Sequence, residues 1–270
     1  MIDEDWMTHC GEMVHRFDRD RLMCATVAPP ARRGSLLALL AFNLEIATIP
    51  ELVSEPMLGE IRLQWWRDTI ARIYAGEGVD HPVALGLAAA IAKTRLSQAL
   101  FDEYLDARAF DLHGDAPASM AALEKYGDGT AGALNELMAE ALGVAGMPPK
   151  PQATARAAVR DAGTAWALSG LLAAIPFHKR LGRSYLPADV DPGRQVAAVA
   201  EAAQGYIVKA RSWRQMAPKF LLPALLPVVL ADYRLKQLAR CGYDAHDARL
   251  QRPTTGRLLR FYWNVLRRTY

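Results

Sequence analysis

Residues 163–187 read GTAWALSGLLAAIPFHKRLGRSYLP. The stretch is apolar and rich in small side chains up to Pro176, then turns basic and closes in the run Gly182-Arg183-Ser184-Tyr185-Leu186-Pro187. Around it, apolar residues recur at helical spacing in one segment after another, and no apolar–polar alternation persists long enough to make a sheet. Leu37, Leu40, Ala41 and Leu44 form one stripe, opened by Pro29-Pro30 and closed near Pro50. A second helix carries Ile61, Trp65 and Ile73 and stops at Gly76-Glu77-Gly78; a third starts between Asp80 and Pro82, where an acidic N-cap and an early proline suit a helix start. Val196, Val199, Ala203, Tyr206, Ala210 and Trp213 make one continuous buried seam, and Leu258, Tyr262, Val265 and Thr269 predict a last helix.

Punctuation between these segments is sparse. Gly146 to Pro151 is the strongest break, and a loop within one bundle explains it as well as a linker does, so residues 1–270 read as one domain. No internal repeat is present. Phe220 to Ala231 is apolar throughout, but it is shorter than the roughly 20 residues a bilayer requires and carries Pro223 and Pro227, so it reads as a core helix. Trp65 and Trp66 are neighbours on a helix and point about 100° apart, which sends one ring into the core and leaves the other at its edge.

Several function classes lose support. With 32 Lys and Arg against 29 Asp and Glu, a net +3 does not favour a nucleic-acid partner. Cys10, Cys24 and Cys241 offer neither a paired set nor metal-ligand spacing, which suits a reducing compartment. Met1 to Trp6 is acidic and resembles neither a secretory signal nor a transit peptide, which fits a cytoplasmic chain or one already processed. The C-terminal segment carries Arg257, Arg260, Arg267 and Arg268 with no acid after Asp247, which fits either a solvated helix end or a peripheral contact with anionic inner-membrane lipid. Residues 127–132, GDGTAG, match the dinucleotide fingerprint letter for letter, yet Met120 to Tyr126 reads as helix and not strand, so small-residue packing between helices is the better reading. There is no H-E-x-x-H, no G-x-S-x-G and no phosphate loop.

The 163–187 stretch, with its Gly-Arg-x-Tyr-Leu-Pro close, resembles the squalene/phytoene synthases. The likeness extends back through Asp111-Leu112, Tyr126 and the Leu39-Leu40-Ala41-Phe42 segment to Arg32-Arg33, and covers residues from about 16 to 240. It implies an all-α, isoprenoid-synthase-like bundle of about ten helices around a central cavity. Members join two prenyl diphosphates head to head, with aspartates at i and i+4 on two facing helices holding Mg²⁺ against the leaving groups.

Here those motifs are degenerate. The first falls on Ala47, Thr48 and Glu51, and the second on Ala174 and His178, with Gly170 and Ala173 where asparagine and arginine usually stand. Alanine cannot ligate, and an imidazole suits Mg²⁺ poorly. No catalytic residue and no cofactor are therefore expected. The departures resemble one branch of the superfamily, which contains a mitochondrial complex I assembly factor: Ala41 to Ala47, Val53-Ser54-Glu55, His81 to Ala84, Ala210 to Trp213 and the closing Arg267-Arg268-Thr269-Tyr270 carry this likeness. It implies a non-catalytic role in assembling respiratory complex I, through its subunits or assembly intermediates, with room for an isoprenoid lipid. Arg183, Tyr185, Arg32, Arg33 and Asp111 are the candidate ligand-binding residues, though a loop-packing role serves Arg183 and Tyr185 equally. Two alternatives stay open: a working Mg²⁺-dependent prenyltransferase drawing on Glu45, Glu51 and Asp111, and a lipid-binding or membrane-docking module.

Overall fold

The computed structural model describes residues 2–251 and 255–270, and every regular element among them is helical. The chain runs through α1 (Ile2–Phe17), α2 (Arg19–Thr26), α3 (Pro30–Leu52), α4 (Pro56–Tyr74), α5 (Pro82–Thr94) and α6 (Gln98–Arg108). It continues through α7 (Met120–Gly127), a π turn (Asp128–Gly132), α8 (Ala133–Leu142), α9 (Pro149–Ala173) and α10 (Ile175–Arg180). The last part is α11 (Gln195–Ser212), the short α12 (Leu222–Leu225), α13 (Pro227–Arg240) and α14 (Thr255–Arg267). Prolines set many of the starts: Pro30, Pro56, Pro82 and Pro149 each open a helix, where a missing N–H costs nothing.

Two long helices organise the core. α9 packs against α7, α8, α11, α12, α13 and the π turn, while α3 packs against α1, α2, α5 and α8. The best 18-residue window of α3 has a mean hydropathy of 1.5, long and apolar enough to cross a membrane, but 61% of it is buried among the neighbouring helices. The closest approach lies where α9 meets the π turn. A Cβ on Gly163 would sit 2.2 Å from the Ala131 carbonyl oxygen and 2.7 Å from Gly132 Cα, so only glycine permits this crossing. Here the GDGTAG run has its use: its small residues let two backbones touch, and no strand precedes it. Arg160 on α9 clamps the junction, donating to Asp128 in the π turn, Glu103 on α6 and Glu136 on α8.

The structure corrects several local expectations. On α4, Ile61 and Trp65 face outward at 58% and 46% exposure, and the inward stripe is Leu63, Trp66, Ile70 and Ile73. Trp66 is the ring that enters the core, edge-on to Phe42. The N-cap of α5 is His81 and not Asp80, and it makes no side-chain capping bond. Residues 220–231 are largely buried as expected, but Pro223 and Pro227 split them into a 3₁₀ turn, α12 and the start of α13. The α11 seam holds: Val199, Ala203 and Ala210 are buried, and the helix packs on α9.

The expected last helix is present as α14, and its apolar face is largely exposed. Leu258 and Tyr262 are exposed, as are Leu259, Trp263 and Leu266. Phe261 is the buried side chain of this helix, and Tyr270 beyond its end is buried too, its hydroxyl donating to the Ala210 carbonyl at 3.2 Å. Ion pairs hold the helix down: Arg257 meets Asp20 at 2.8 Å, and Arg260 meets the fully buried Asp232 at 2.5 Å. Asp232 also accepts from Lys236 at 2.9 Å and Arg211 at 3.3 Å.

Candidate functional site

A cavity of about 510 Å³ lies between α2, α3, α9 and α13. Ala47 comes to its wall from α3, and Ala174 and His178 from the α9–α10 junction, so the two degenerate motifs share one space. Pro176 breaks the helix there, but the His178 amide still bonds the Ala174 carbonyl at 2.9 Å and keeps the i, i+4 spacing. Gly170 and Ala173 line the same wall. Thr48 turns its hydroxyl back to the Leu44 and Glu45 carbonyls, and Glu51 is exposed.

The polar part of the cavity is basic. Arg21 of α2, Arg108 of α6 and Arg234 of α13 all line it, and none of its lining residues is a carboxylate. Arg108 is deeply engaged: it donates to Tyr104, Tyr126, Asn43 and Asp111 at 3.0–3.2 Å. Arg234 donates to Asp20 at 2.7 Å and lies 4.1 Å over the Trp166 ring. Arg21 donates through Nε to Asp18 at 2.5 Å, and neither of its Nη groups has a hydrogen-bond partner among the described residues. Burial pushes the His178 imidazole below its ordinary 6.5 against the pull of Asp111, so the ring is neutral at pH 7. It packs against Tyr185, centroids 4.7 Å apart.

The other candidates divide. Tyr185 does not line the cavity; it donates to the buried Asp111 at 2.7 Å and packs against His178, which does. Asp111 therefore orients Arg108 and Tyr185 from behind the wall. Arg183 binds the Pro50 carbonyl at 3.0 Å near the end of α3. Arg32 and Arg33 lie in the first turn of α3, bonded to the Ala141 and Ala28 carbonyls, and neither lines the cavity. Glu45 lines a different cavity of about 260 Å³ beside Trp65, Trp66 and His81. Glu45, Glu51 and Asp111 thus do not converge, and among the described residues no group of three or more His, Cys, Asp or Glu side chains could hold a metal. The donor set here, three guanidiniums and a neutral imidazole without a carboxylate, does not fit Mg²⁺.

The sequence reading missed Arg21, Arg108 and Arg234. Arg21 and Arg108 each pair with an acid three residues away, Asp18 and Asp111, but Arg234 meets Asp20 only across the fold, so no signal along the chain unites the three.

Comparison with known proteins bears on this arrangement. The family model described as squalene/phytoene synthase matches residues 14–191. Among curated proteins, NADH dehydrogenase (ubiquinone) complex I, assembly factor 6 of Bos taurus is 29% identical over 280 residues, covering 97% of this chain and 82% of that protein. The Homo sapiens protein of the same name is 28% identical with the same coverage. Among solved structures, a dehydrosqualene synthase in complex with ligand superposes with a TM-score of 0.76 at 14% identity, covering 98% of this chain and 96% of that one. Squalene synthase HpnC from Alicyclobacillus acidocaldarius gives 0.74 at 18% identity, over 88% and 95% of the two chains. At such identities the superpositions establish the isoprenoid-synthase-like fold and nothing about chemistry.

Proposed function

The chain belongs to the squalene/phytoene synthase family, and from that premise we propose that it acts without catalysis of its own, as a factor in the assembly of respiratory NADH:ubiquinone oxidoreductase. One observation carries the reading: where two carboxylate-bearing helices would hold Mg²⁺, the wall carries Ala47, Ala174 and His178 among three arginines. Metal-assisted departure of a diphosphate needs hard oxygen ligands, and fixed positive charge repels the ion that would supply the chemistry. The similarity to complex I assembly factor 6 along most of its length supports the assembly role.

The test is a deletion strain assayed for two outputs. Membrane NADH:ubiquinone oxidoreductase activity should fall and return on complementation, while squalene and carotenoid products stay unchanged. Loss of those products with intact complex I would overturn the reading, as would head-to-head product from purified protein, Mg²⁺ and farnesyl diphosphate.

A second reading concerns location, and α14 carries it. We propose that this helix rests in an anionic membrane surface. Leu259 and Leu266, 67% and 77% exposed, lie beside exposed Tyr262 and Trp263, and Arg267 stacks on Trp263 at 4.4 Å. An apolar face with aromatic residues and flanking cations suits the lipid interface, where each cation adds about 1 kcal/mol. Arg257 and Arg260 are tied inward, so Arg267 and Arg268 are the cations to test. In sedimentation with acidic liposomes, Trp263→Ser with Leu266→Ser should abolish binding, and Arg267→Gln with Arg268→Gln should weaken it at low salt. Unchanged sedimentation of both variants would rule this out, and binding to a complex I subunit in place of liposomes would assign the face to protein.

A further inference from the structure

We infer that the outer face of α4, with the end of α3, is a docking surface for a cationic amphipathic helix of a partner protein, and that the cavity beside Glu45 receives one of that helix's basic side chains. This goes beyond the assembly reading, because it names the chemistry of what docks and holds whichever complex the partner belongs to. The molecule has more apolar faces here than its own core covers. α4 turns Leu63, Trp66, Ile70 and Ile73 inward, yet Met57, Leu58, Ile61 and Trp65 stand 43–61% exposed on its outer side. Leu58, Ile61 and Trp65 follow one another at three and four residues, and Met57 lies four before Ile61, so they share one stripe. A helix apolar on two faces is built to be covered on both. Leu52, 64% exposed at the end of α3, extends the patch, since it and Trp65 line one cavity of about 260 Å³.

Charge decides the occupant. From residue 45 to residue 62 the chain carries Glu45, Glu51, Glu55 and Glu60 against Arg62. Glu51 and Glu55 are exposed, and their carboxylates take no hydrogen bond or ion pair among the described residues. Glu60 has only His113, at 3.8 Å. An acidic rim repels an anionic bilayer and attracts Lys and Arg, so the occupant of this face is a basic protein segment and not lipid. Among the described residues the chain presents helices and no sheet edge, so the partner fits as a helix laid along α4 with apolar anchors at i, i+3, i+4 and i+7.

The cavity supplies a seat for one cation. Trp65, Trp66 and His81 line it with three rings whose centroids lie 5.0–5.5 Å apart and whose planes cross at 71–84°. Glu45 lines it too, its side chain 29% exposed, and His81 Nε2 at 3.8 Å is beyond hydrogen-bond reach. A carboxylate so far withdrawn from water, with no donor and with aromatic rings beside it, suits an ammonium or a guanidinium. Arg62 borders the same cavity but is exposed and forms no ion pair with Glu45, which leaves that carboxylate to a cation from outside.

The experiment is fluorescence anisotropy of the purified full chain with labelled synthetic helices of about 18 residues, each bearing leucines at that spacing and flanked by arginine, glutamine or glutamate. The arginine helix should bind most tightly and the glutamate helix least, the gap narrowing with added salt. Ile61→Ser, a surface change that leaves the fold intact, should weaken the arginine helix at least about tenfold. Glu45→Gln should weaken it severalfold, and a central citrulline in place of arginine should cost nothing more in that variant, because both changes remove the same pair. Arg62→Gln should strengthen binding by removing a like charge. Equal affinity for the three helices, no binding of the arginine helix, or an Ile61→Ser protein that binds it as tightly as wild type would overturn the proposal. So would loss of liposome sedimentation on Ile61→Ser, which assigns the face to lipid, or an Ile61-dependent dimer in sedimentation velocity, which assigns it to a second copy. No component of complex I enters these assays, so the assembly reading is decided separately by the deletion strain.

Discussion

Replacing Gly163 by alanine should damage this protein far more than replacing Gly170 on the same helix. A Cβ at 163 would lie 2.2 Å from the Ala131 oxygen, 2.6 Å from its carbonyl carbon and 2.7 Å from Gly132 Cα, all backbone atoms with no rotamer to change. Ordinary contact begins near 3.4 Å, so α9 and the π turn must part by about 1 Å, at an overpacking cost of about 3–5 kcal/mol, toward or above the upper end of the usual range. Alanine returns about 1 kcal/mol through helix propensity, leaving a net loss of about 2–4 kcal/mol. At Gly170 the new methyl meets nothing within 4 Å, so only the propensity gain of up to about 1 kcal/mol operates. Urea unfolding followed by far-UV circular dichroism should therefore move the two midpoints in opposite directions. A Gly163→Ala protein within about 1 kcal/mol of wild type would refute the argument that this contact sets the α9 crossing.

Asp232→Asn should cost about 3 kcal/mol, because three cations lose a shared, buried anion. Burial opposes the Asp232 charge, but Lys236, Arg211 and Arg260 outweigh it and hold the group below its ordinary 3.8; its stabilisation is thus full above that value and fades as pH falls through the lower folded one, so the wild type and the variant should converge in acid. Restoring acids by Ala47→Asp, Thr48→Asp, Ala174→Asp and His178→Asp should lower the melting temperature in EDTA, with partial recovery in Mg²⁺ and no head-to-head product, since only the ligands and not their supporting shell are rebuilt. Tyr185→Phe should cost about 1–2 kcal/mol in urea titration by removing the 2.7 Å bond to buried Asp111, and a neutral outcome would mean that Asp111 is satisfied by Arg108 alone.

What the sequence made legible follows from how far each signal reaches. The α11 seam is local, so periodicity finds it, and helix geometry separates the Trp65 and Trp66 rings without saying which one is buried. The meeting of Ala47 with Ala174 and His178 was legible through family likeness, since spacing alone cannot pair residues so far apart. Periodicity found α14 as a helix but does not say which of its faces meets the protein. There the inward pull comes from Arg257–Asp20 and Arg260–Asp232, pairs 237 and 28 residues apart, which no window along the chain contains. The arginine-lined cavity was hidden for the same reason: Arg21, Arg108 and Arg234 come from three separate helices, and their meeting exists only after folding. On α4 the miss was one of phase, Trp65 for Trp66, because both neighbours are large and apolar and only packing against Phe42 distinguishes them.

Helix α3 sets a problem of timing. Its last residue is Leu52, but the partner α8 ends at Leu142, so roughly 90 residues separate completion of the segment from completion of its cover, or roughly 5–20 s at ordinary ribosomal speed. Throughout that interval the emerging polypeptide displays a stretch that satisfies the length and hydropathy of a bilayer span. Misrouting to the membrane-insertion machinery then competes with maturation, and the α1–α3 pairing, available once the segment through Leu52 has left the ribosome, is the contact that protects the chain while the later helices are still unsynthesised. Weakening that pairing would reduce yield in the cell well before it altered the finished molecule.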